Sequence, residues 1–294
     1  MKIFYGLISN AIDVTNICFE KLLDSNTITI PSGDINRANY FTDPLPGIHK
    51  IVIIENDGII SQYDEYMEVK INTLDNVINT LYNVVNRKIA TIHSKLKIKY
   101  GSLNDELPEQ KMAVSYLSGN ETVLEIGGNI GRNSLVIASI LTNNKNFVTL
   151  ESDINIAKRL IENRDLNNFD FYIESSALSD RKLIQRGWDT IPSDTLRDGY
   201  TWVNTITLKD LKSKYNIEFD TLVLDCEGAF YYILMDMPSI LDNINLIIME
   251  NDYHNIEHKK YVDNVLKQHN FNRDYAEAGG WGPCYHNFFE VWKR

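Results

Sequence analysis

The 294-residue sequence predicts an α/β fold: a doubly wound, mostly parallel sheet over its last two-thirds, preceded by a smaller β-rich region. Three observations predict it. From Thr122 onward, short and continuously apolar runs alternate with helical patterns. A glycine-rich turn closes the first of those runs. Before residue 73, β-branched runs are separated by turn-forming residues.

In the first 72 residues, Thr27 to Ile30, Lys50 to Ile54 and Glu68 to Ile71 read as strands, and Pro44-Leu-Pro-Gly47 reads as a loop. Asp57-Gly58 between apolar runs predicts a hairpin. Residues 73–108 read as a helical linker, because Leu74, Val77, Ile78, Leu81, Val84, Val85, Ile89 and Ile92 fall at helical spacing. Pro108 suits the first turn of a further helix ending near Leu117.

Residues 109–294 carry the α/β rhythm. Val123 to Ile126, Phe147 to Leu150, Phe169 to Ile173, Thr221 to Leu224 and Leu246 to Met249 are apolar on both alternations, as strands covered on both faces require. Asn133 to Leu141, Ile154 to Asn163, Leu208 to Tyr215, Ala229 to Met235 and His258 to His269 are the intervening helices. Asn287 to Trp292 is a last strand after a Gly-rich turn, and a hairpin there inserts one antiparallel strand into a seven-stranded sheet.

No apolar run approaches the roughly 18 residues a membrane span needs, and the N-terminus has no signal-peptide pattern. A soluble cytoplasmic protein is the simplest reading. Cys18, Cys226 and Cys284 are isolated, odd in number and without CxxC spacing, which argues against a disulfide framework and a thiolate zinc site. A net charge of -11 argues against a broad nucleic-acid-binding face. The abundance of Asn, Ile, Lys and Tyr points to an AT-rich gene.

The most informative segment is Glu125-Ile-Gly-Gly-Asn-Ile-Gly131, at the first strand's end. A dinucleotide fingerprint starting at Gly127 would need glycine at 129 and 132, where Asn129 and Arg132 stand. A P-loop would need Gly-Lys-Ser/Thr, which is absent. The form present, E-x-G-x-x-x-G, resembles the loop of enzymes that bind S-adenosylmethionine. Glu151 then ends the second strand, where an acid can accept hydrogen bonds from both ribose hydroxyls. Ser152 adjoins it, and Asp153 is better explained as a helix cap. Ser176 and Ala177, after the third strand, could contact an adenine or simply form a turn.

Asp225-Cys-Glu-Gly228 follows the fourth strand, and Glu250-Asn-Asp252 the fifth, with His254 beyond; chemistry in open α/β sheets sits at such carboxyl ends. Methyl transfer to an alcohol needs the acceptor aligned and a proton removed. Asp225, Glu250 and His254 are therefore the catalytic candidates. Asp225, Glu250 and Asn251 form a candidate oxygen site for Mg2+ or Mn2+. Capping at strand-to-helix turns would explain the same residues, Glu227 included. His254 and His258 lack the H-E-x-x-H pattern of a zinc site. Trp188, Trp202, Trp281 and Tyr285 could stack on a sugar face or pack in the core.

Taken in order, Val123-Leu-Glu-Ile-Gly-Gly-Asn-Ile-Gly-Arg-Asn-Ser134, Ser176-Ala-Leu-Ser-Asp180, Thr205-Ile-Thr-Leu-Lys-Asp-Leu211, Leu224-Asp-Cys-Glu-Gly-Ala229 and Ile247-Ile-Met-Glu250 resemble the FkbM-type methyltransferases. The resemblance covers Glu109 to Arg294. It implies a Rossmann-like class I methyltransferase fold and O-methylation of a sugar or another hydroxylated metabolite. It implies cofactor contacts from Glu125, Gly127, Asn129, Gly131, Asn133 and Glu151, with Asp225 and Glu250 bordering the reacting atoms; Gly128, Ser134, Ser152, Ser176, Ala177 and Asp225 complete the candidate cofactor set. Val223 and Phe230 depart from the family's usual Lys and Glu.

Asp43-Pro-Leu-Pro-Gly47 before Lys50-Ile-Val-Ile-Ile54 resembles segments of large DNA viruses, which would fit glycan modification in a host cytoplasm. Two rival functions keep the fold. A cap ribose methyltransferase would need catalytic lysines and a basic groove, against Val223 and the net charge. A non-catalytic assembly protein would not need Glu125, Glu151 and Asp225 together. The N-terminal region could pair two chains or bind a glycan.

Overall fold

The structure is a computed structural model that describes every residue except Asn83 and Trp188. The chain forms two compact units, Met1–Ala90 and Thr91–Arg294.

The first unit contains β1 (Lys2–Leu7), β2 (Asn10–Asp13), α1 (Thr15–Lys21), β3 (Leu23–Asp24), β4 (Thr27–Ile30), α2 (Asp34–Phe41), β5 (Ile51–Asn56), β6 (Ile59–Tyr63), β7 (Met67–Asn72) and β8 (Ile78–Tyr82). They make two antiparallel sheets, β2-β1-β5-β6 and β3-β4-β7-β8. Alternate residues of both sheets bury one core, including Ile3, Tyr5, Ile28, Ile30, Val52, Ile54, Val69 and Ile71. The β5–β6 hairpin turns at Asp57-Gly58, both at positive φ (51° and 79°), the backbone a two-residue primed turn requires.

The helix expected from Leu74 begins later. Ile78–Tyr82 pairs with β7, Ile71 opposite Ile78, around a turn with Asn76 at φ 57°. Only α3 (Val84–His93) is helical. The apolar spacing suits either state, and cross-strand pairing with β7 decides it. Leu74 and Val77 are left exposed.

The second unit opens with α4 (Leu107–Tyr116) and continues with β9 (Val123–Ile126), α5 (Arg132–Ile140), β10 (Phe147–Leu150), α6 (Ile154–Leu166) and β11 (Tyr172–Glu174). A short pair, β12 (Ala177–Leu178) with β16 (Thr205–Ile206), encloses an antiparallel insertion that the sequence reading missed: β13 (Leu183–Arg186), β14 (Asp189–Pro192) and β15 (Thr201–Val203). Then follow α7 (Leu208–Tyr215), β17 (Thr221–Leu224), α8 (Phe230–Asp236), β18 (Leu246–Glu250), α9 (Ile256–Gln268), β19 (Asn272–Glu277) and β20 (Phe289–Lys293).

The main sheet has the order β11-β10-β9-β17-β18-β20-β19. The five strands from β11 to β18 are parallel, and β20 is antiparallel to both its neighbours. All four residues of β9, β10 and β17 are buried, which explains their unbroken apolar character. Helical crossovers run outward from β9 to β10 and β11 in one direction and from β17 to β18 in the other. Strand order therefore reverses between β9 and β17, and a crevice opens at their carboxyl ends.

A buried ion pair ties the terminal hairpin to α9. Lys259 Nζ lies 2.7 Å from Glu290 Oε2, both essentially without solvent exposure. Arg273 donates to Glu290 Oε1 (2.8 Å), and the Trp292 indole N–H to Oε2 (2.9 Å). Burial alone would raise the Glu290 pKa, but Lys259 and these donors hold it below its ordinary value. Replacing Lys259 by methionine strands that carboxylate without its buried cation. Chemical denaturation should show a loss of about 3 kcal/mol; a loss within error would show that Arg273 and Trp292 suffice.

Candidate functional site

The glycine loop is shaped by the strand beside it. Gly127 and Gly128 both donate their N–H to the Leu150 carbonyl (3.0 and 2.8 Å), and Gly131 donates to the Gly128 carbonyl. At Gly127 (φ +95°) a β-carbon would stand 1.6 Å from the Asp225 carbonyl oxygen. At Gly128 it would stand 2.2 Å from Thr149 Oγ1. Any side chain at 127 would force β9 and β17 apart at their ends.

Glu151 leaves the end of β10 and is almost wholly buried. Its carboxylate accepts the N–H groups of Asn129 (2.9 Å) and Asp153 (2.7 Å). Burial raises its pKa, and these N–H groups partly offset the rise. Each oxygen keeps a lone pair for a further donor. Asp153 caps α6, accepting from Asn155 and Ile156. Glu125 is enclosed within β9, and the Ser134 hydroxyl donates to it from α5. Burial pushes the Glu125 carboxyl up to about 7.

A cleft of about 330 Å³ opens at the switch point, within the size range of small-molecule sites. Of the residues singled out in the sequence, Gly127, Asn129, Glu151, Ser152, Ser176, Ala177, Asp225 and Glu250 line it. Glu125, Gly128 and Asn133 line a small recess that shares Asp225 and Glu250 with the cleft. Gly131 and Ser134 line neither: Gly131 starts α5 against Leu160, and Ser134 serves Glu125. The Ser176 hydroxyl is engaged by Glu174 (3.0 Å), and Ser152 accepts from Gln185 of the insertion (3.1 Å).

Two expected residues point elsewhere. His254 is exposed, its ring 4.5 Å from that of Trp281, and does not line the cleft. Asn251 is fully buried and donates to the Asn287 carbonyl (2.7 Å), while its N–H donates to Phe288, so it fastens β18 to the final hairpin. The Asn251 Oδ1 is buried without a partner, and the carboxylate that joins Asp225 and Glu250 is that of Asp252. One carboxylate oxygen each from Asp225, Glu250 and Asp252 lie within 4.8 Å of one another. Trp281, Tyr285 and Trp202 are exposed and line no part of the cleft, and Trp188 lies outside the described residues.

Sequence reasoning also missed Glu106 and Glu109, which reach the cleft from the start of α4. The signal was the Pro108 helix start, which sets Glu106 at the cap and Glu109 in the first turn of α4 but does not place either at this sheet. The result is an acidic wall. Asp225 is raised well above an ordinary aspartate by burial, then by the charges of Asp252, Glu106 and Glu109. Glu250 is raised by burial, then by its hydrogen bond to Glu109 and by Asp225. Arg181 also lines the cleft, but Asp236 holds it through two 2.5 Å contacts. Such an arrangement can share protons, act as a base of raised strength, or receive a cation; it repels an anion.

No family model matches the chain, and no curated protein matches it. Among solved structures, it is similar to an O-methyltransferase from Bacillus cereus in complex with SAH, at 13% identity and a TM-score of 0.40, over 71% of this chain and 90% of that one. It is similar to a ribosomal protein L11 methylase from Lactobacillus delbrueckii subsp. bulgaricus, at 11% and 0.40, over 66% and 79%. A tRNA methyltransferase from Aquifex aeolicus matches at 9% and 0.41, over 100% and 96%. These likenesses are remote, and the reading of function rests on the cleft itself.

Glu125 gives a stability test. Its folded pKa lies near 7 against about 4.5 for a free glutamate. The protonated form thus supports the fold fully below pH 4.5, and that support is lost as pH rises through 7. Glu125→Gln should match wild type near pH 4.5 and exceed it by up to about 3 kcal/mol at pH 8 in denaturant melts. A difference that stays flat with pH would show that Glu125 does not titrate in this window.

Proposed function

We propose that the chain is an S-adenosylmethionine-dependent O-methyltransferase acting on a hydroxyl of an uncharged sugar or similar polyol. The observation that carries the reading is Glu151: a buried carboxylate at the end of the second parallel strand, held by the Asn129 N–H and lining the same cleft as Gly127, Asp225 and Glu250. The strand order, with its last hairpin folded back beside β18, is the arrangement expected of a class I methyltransferase.

The lining fits this cofactor. Glu151 would accept the two ribose hydroxyls. Ala177, Leu178, Ile233 and Met237 give an apolar wall for the adenine, with Ser152 and Gln185 at its edge. The acidic residues suit a ligand that carries positive charge. When bound, the cofactor supplies a methyl group on a cationic sulfur. Asp225 and Glu250 stand where the acceptor would approach, and either one in its ionised form would accept the hydroxyl proton. Phosphorylated acceptors, nucleotide-sugars and nucleic acid included, would face Glu109, Asp225, Glu227 and Glu250, with Arg181 already engaged by Asp236 and Arg132 by Glu106. That favours a neutral sugar, in keeping with the FkbM-type resemblance.

Calorimetric titration with S-adenosylhomocysteine tests the cofactor half. Wild type should bind, and Glu151→Ala should bind about 10- to 100-fold more weakly, the loss of one or two charged hydrogen bonds. Absence of binding by folded wild type would remove the enzyme reading. Methyl transfer from labelled cofactor to neutral glycosides, with none to their phosphorylated forms, tests the acceptor half.

A further inference from the structure

We infer that Asp225, Glu250 and Asp252, with Glu109 beside them, form a binding site for one divalent cation of the Mg2+ or Mn2+ type. The three carboxylates come from the ends of β17 and β18, and an oxygen from each lies within 4.8 Å of the other two. Around a hard cation with oxygens at about 2.1 Å, adjacent ligands stand about 3 Å apart and opposite ones about 4.2 Å. The trio lies within a few tenths of an ångström of that span, so a small inward movement of the side chains would bring all three oxygens onto one ion.

A cluster of acids alone would not make a site, but two buried carboxylate oxygens here have no partner, one of them on Glu109, which lines the cleft beside the trio. Asp252 is only 4% exposed, and its Oδ2 has no hydrogen-bond partner. Glu109 is only 8% exposed, hydrogen-bonds Glu250, and leaves its own Oε2 without a partner. Buried carboxylate oxygens without partners are costly, and they persist where something else satisfies them. Among the described residues no lysine or arginine forms an ion pair with Asp225, Glu250, Asp252 or Glu109. All the donors are oxygens, which selects Mg2+ or Mn2+ over zinc.

The other acidic trio, Asp34, His49 and Glu65, differs in this respect. Lys50 Nζ lies 2.7 Å from Asp34, and the Tyr5 hydroxyl donates to the same carboxylate. It is already supplied with positive charge.

The existence of the cation site does not depend on the methyltransferase reading, but its use does: positive charge there would make an acceptor hydroxyl more acidic. The test is Mn2+ binding to the full chain without cofactor, followed by electron paramagnetic resonance and by calorimetry. Wild type should bind one ion tightly, and Asp252→Asn should weaken that ion by about tenfold or more. His49→Ala should leave it unchanged. The metal-free Asp252→Asn protein should melt no lower than wild type, since it loses a buried charge and keeps its shape, and added Mg2+ should raise the wild-type Tm only. No binding by folded wild type, or binding lost in His49→Ala and kept in Asp252→Asn, would overturn the site. A chain that binds S-adenosylhomocysteine but no Mn2+ would keep the proposed function and lose this inference.

Discussion

Where the strand order reverses, the backbone at Gly127 passes so near the Asp225 carbonyl that a β-carbon would stand 1.6 Å from it. The cleft depends on that approach. It lets β9 and β17 run in register to their last residues, Ile126 beside Leu224, and then release two loops side by side. One loop carries Asn129 toward Glu151, and the other carries Asp225 toward Glu250 and Asp252. A glycine loop in this fold is usually read as room for a ligand. Here the first glycine is required by the protein's own backbone, and the opening for a ligand is its consequence.

Two buried acidic groups in the same unit show how compensation separates structure from function. Glu290 is fully enclosed, yet Lys259, Arg273 and Trp292 satisfy it and keep it ionised. Asp252 is almost as deeply buried, faces other carboxylates, and keeps one oxygen without a partner. The first arrangement stabilises a hairpin. The second costs stability, and a fold tolerates such a cost where a site is built.

The insertion between β12 and β16 gives the cleft its other wall. Leu183, Gln185, Thr190 and Pro192 face the residues after β10, and Gln185 reaches Ser152. The parallel sheet supplies the acids at one end. This antiparallel sheet, with β13 between β14 and β15, supplies the apolar, amide-lined end, so the two ends of the cleft differ in charge because they come from different kinds of structure.

The sequence by itself determined the α/β rhythm, the glycine loop and Glu151, because each is written in residues close along the chain. Continuous burial makes a parallel strand read as an apolar run, and a strand's end fixes where the next acid must stand. It also determined Asp225 and Glu250 as strand-end acids. Only the tertiary structure decided which neighbours join them. Asn251 and Asp252 differ by one position and both are buried; the side-chain amide of the first is tied to the final hairpin, and the carboxylate of the second stands beside Asp225 and Glu250. Glu109 belongs to a helix far away in sequence, and no local pattern says that α4 delivers it to Glu250. His254, adjacent in sequence, was carried outward to Trp281. Ile78 became a strand only because β7 was there to pair with it. Local spacing sets what a segment can be, and packing against distant segments sets which side chains meet.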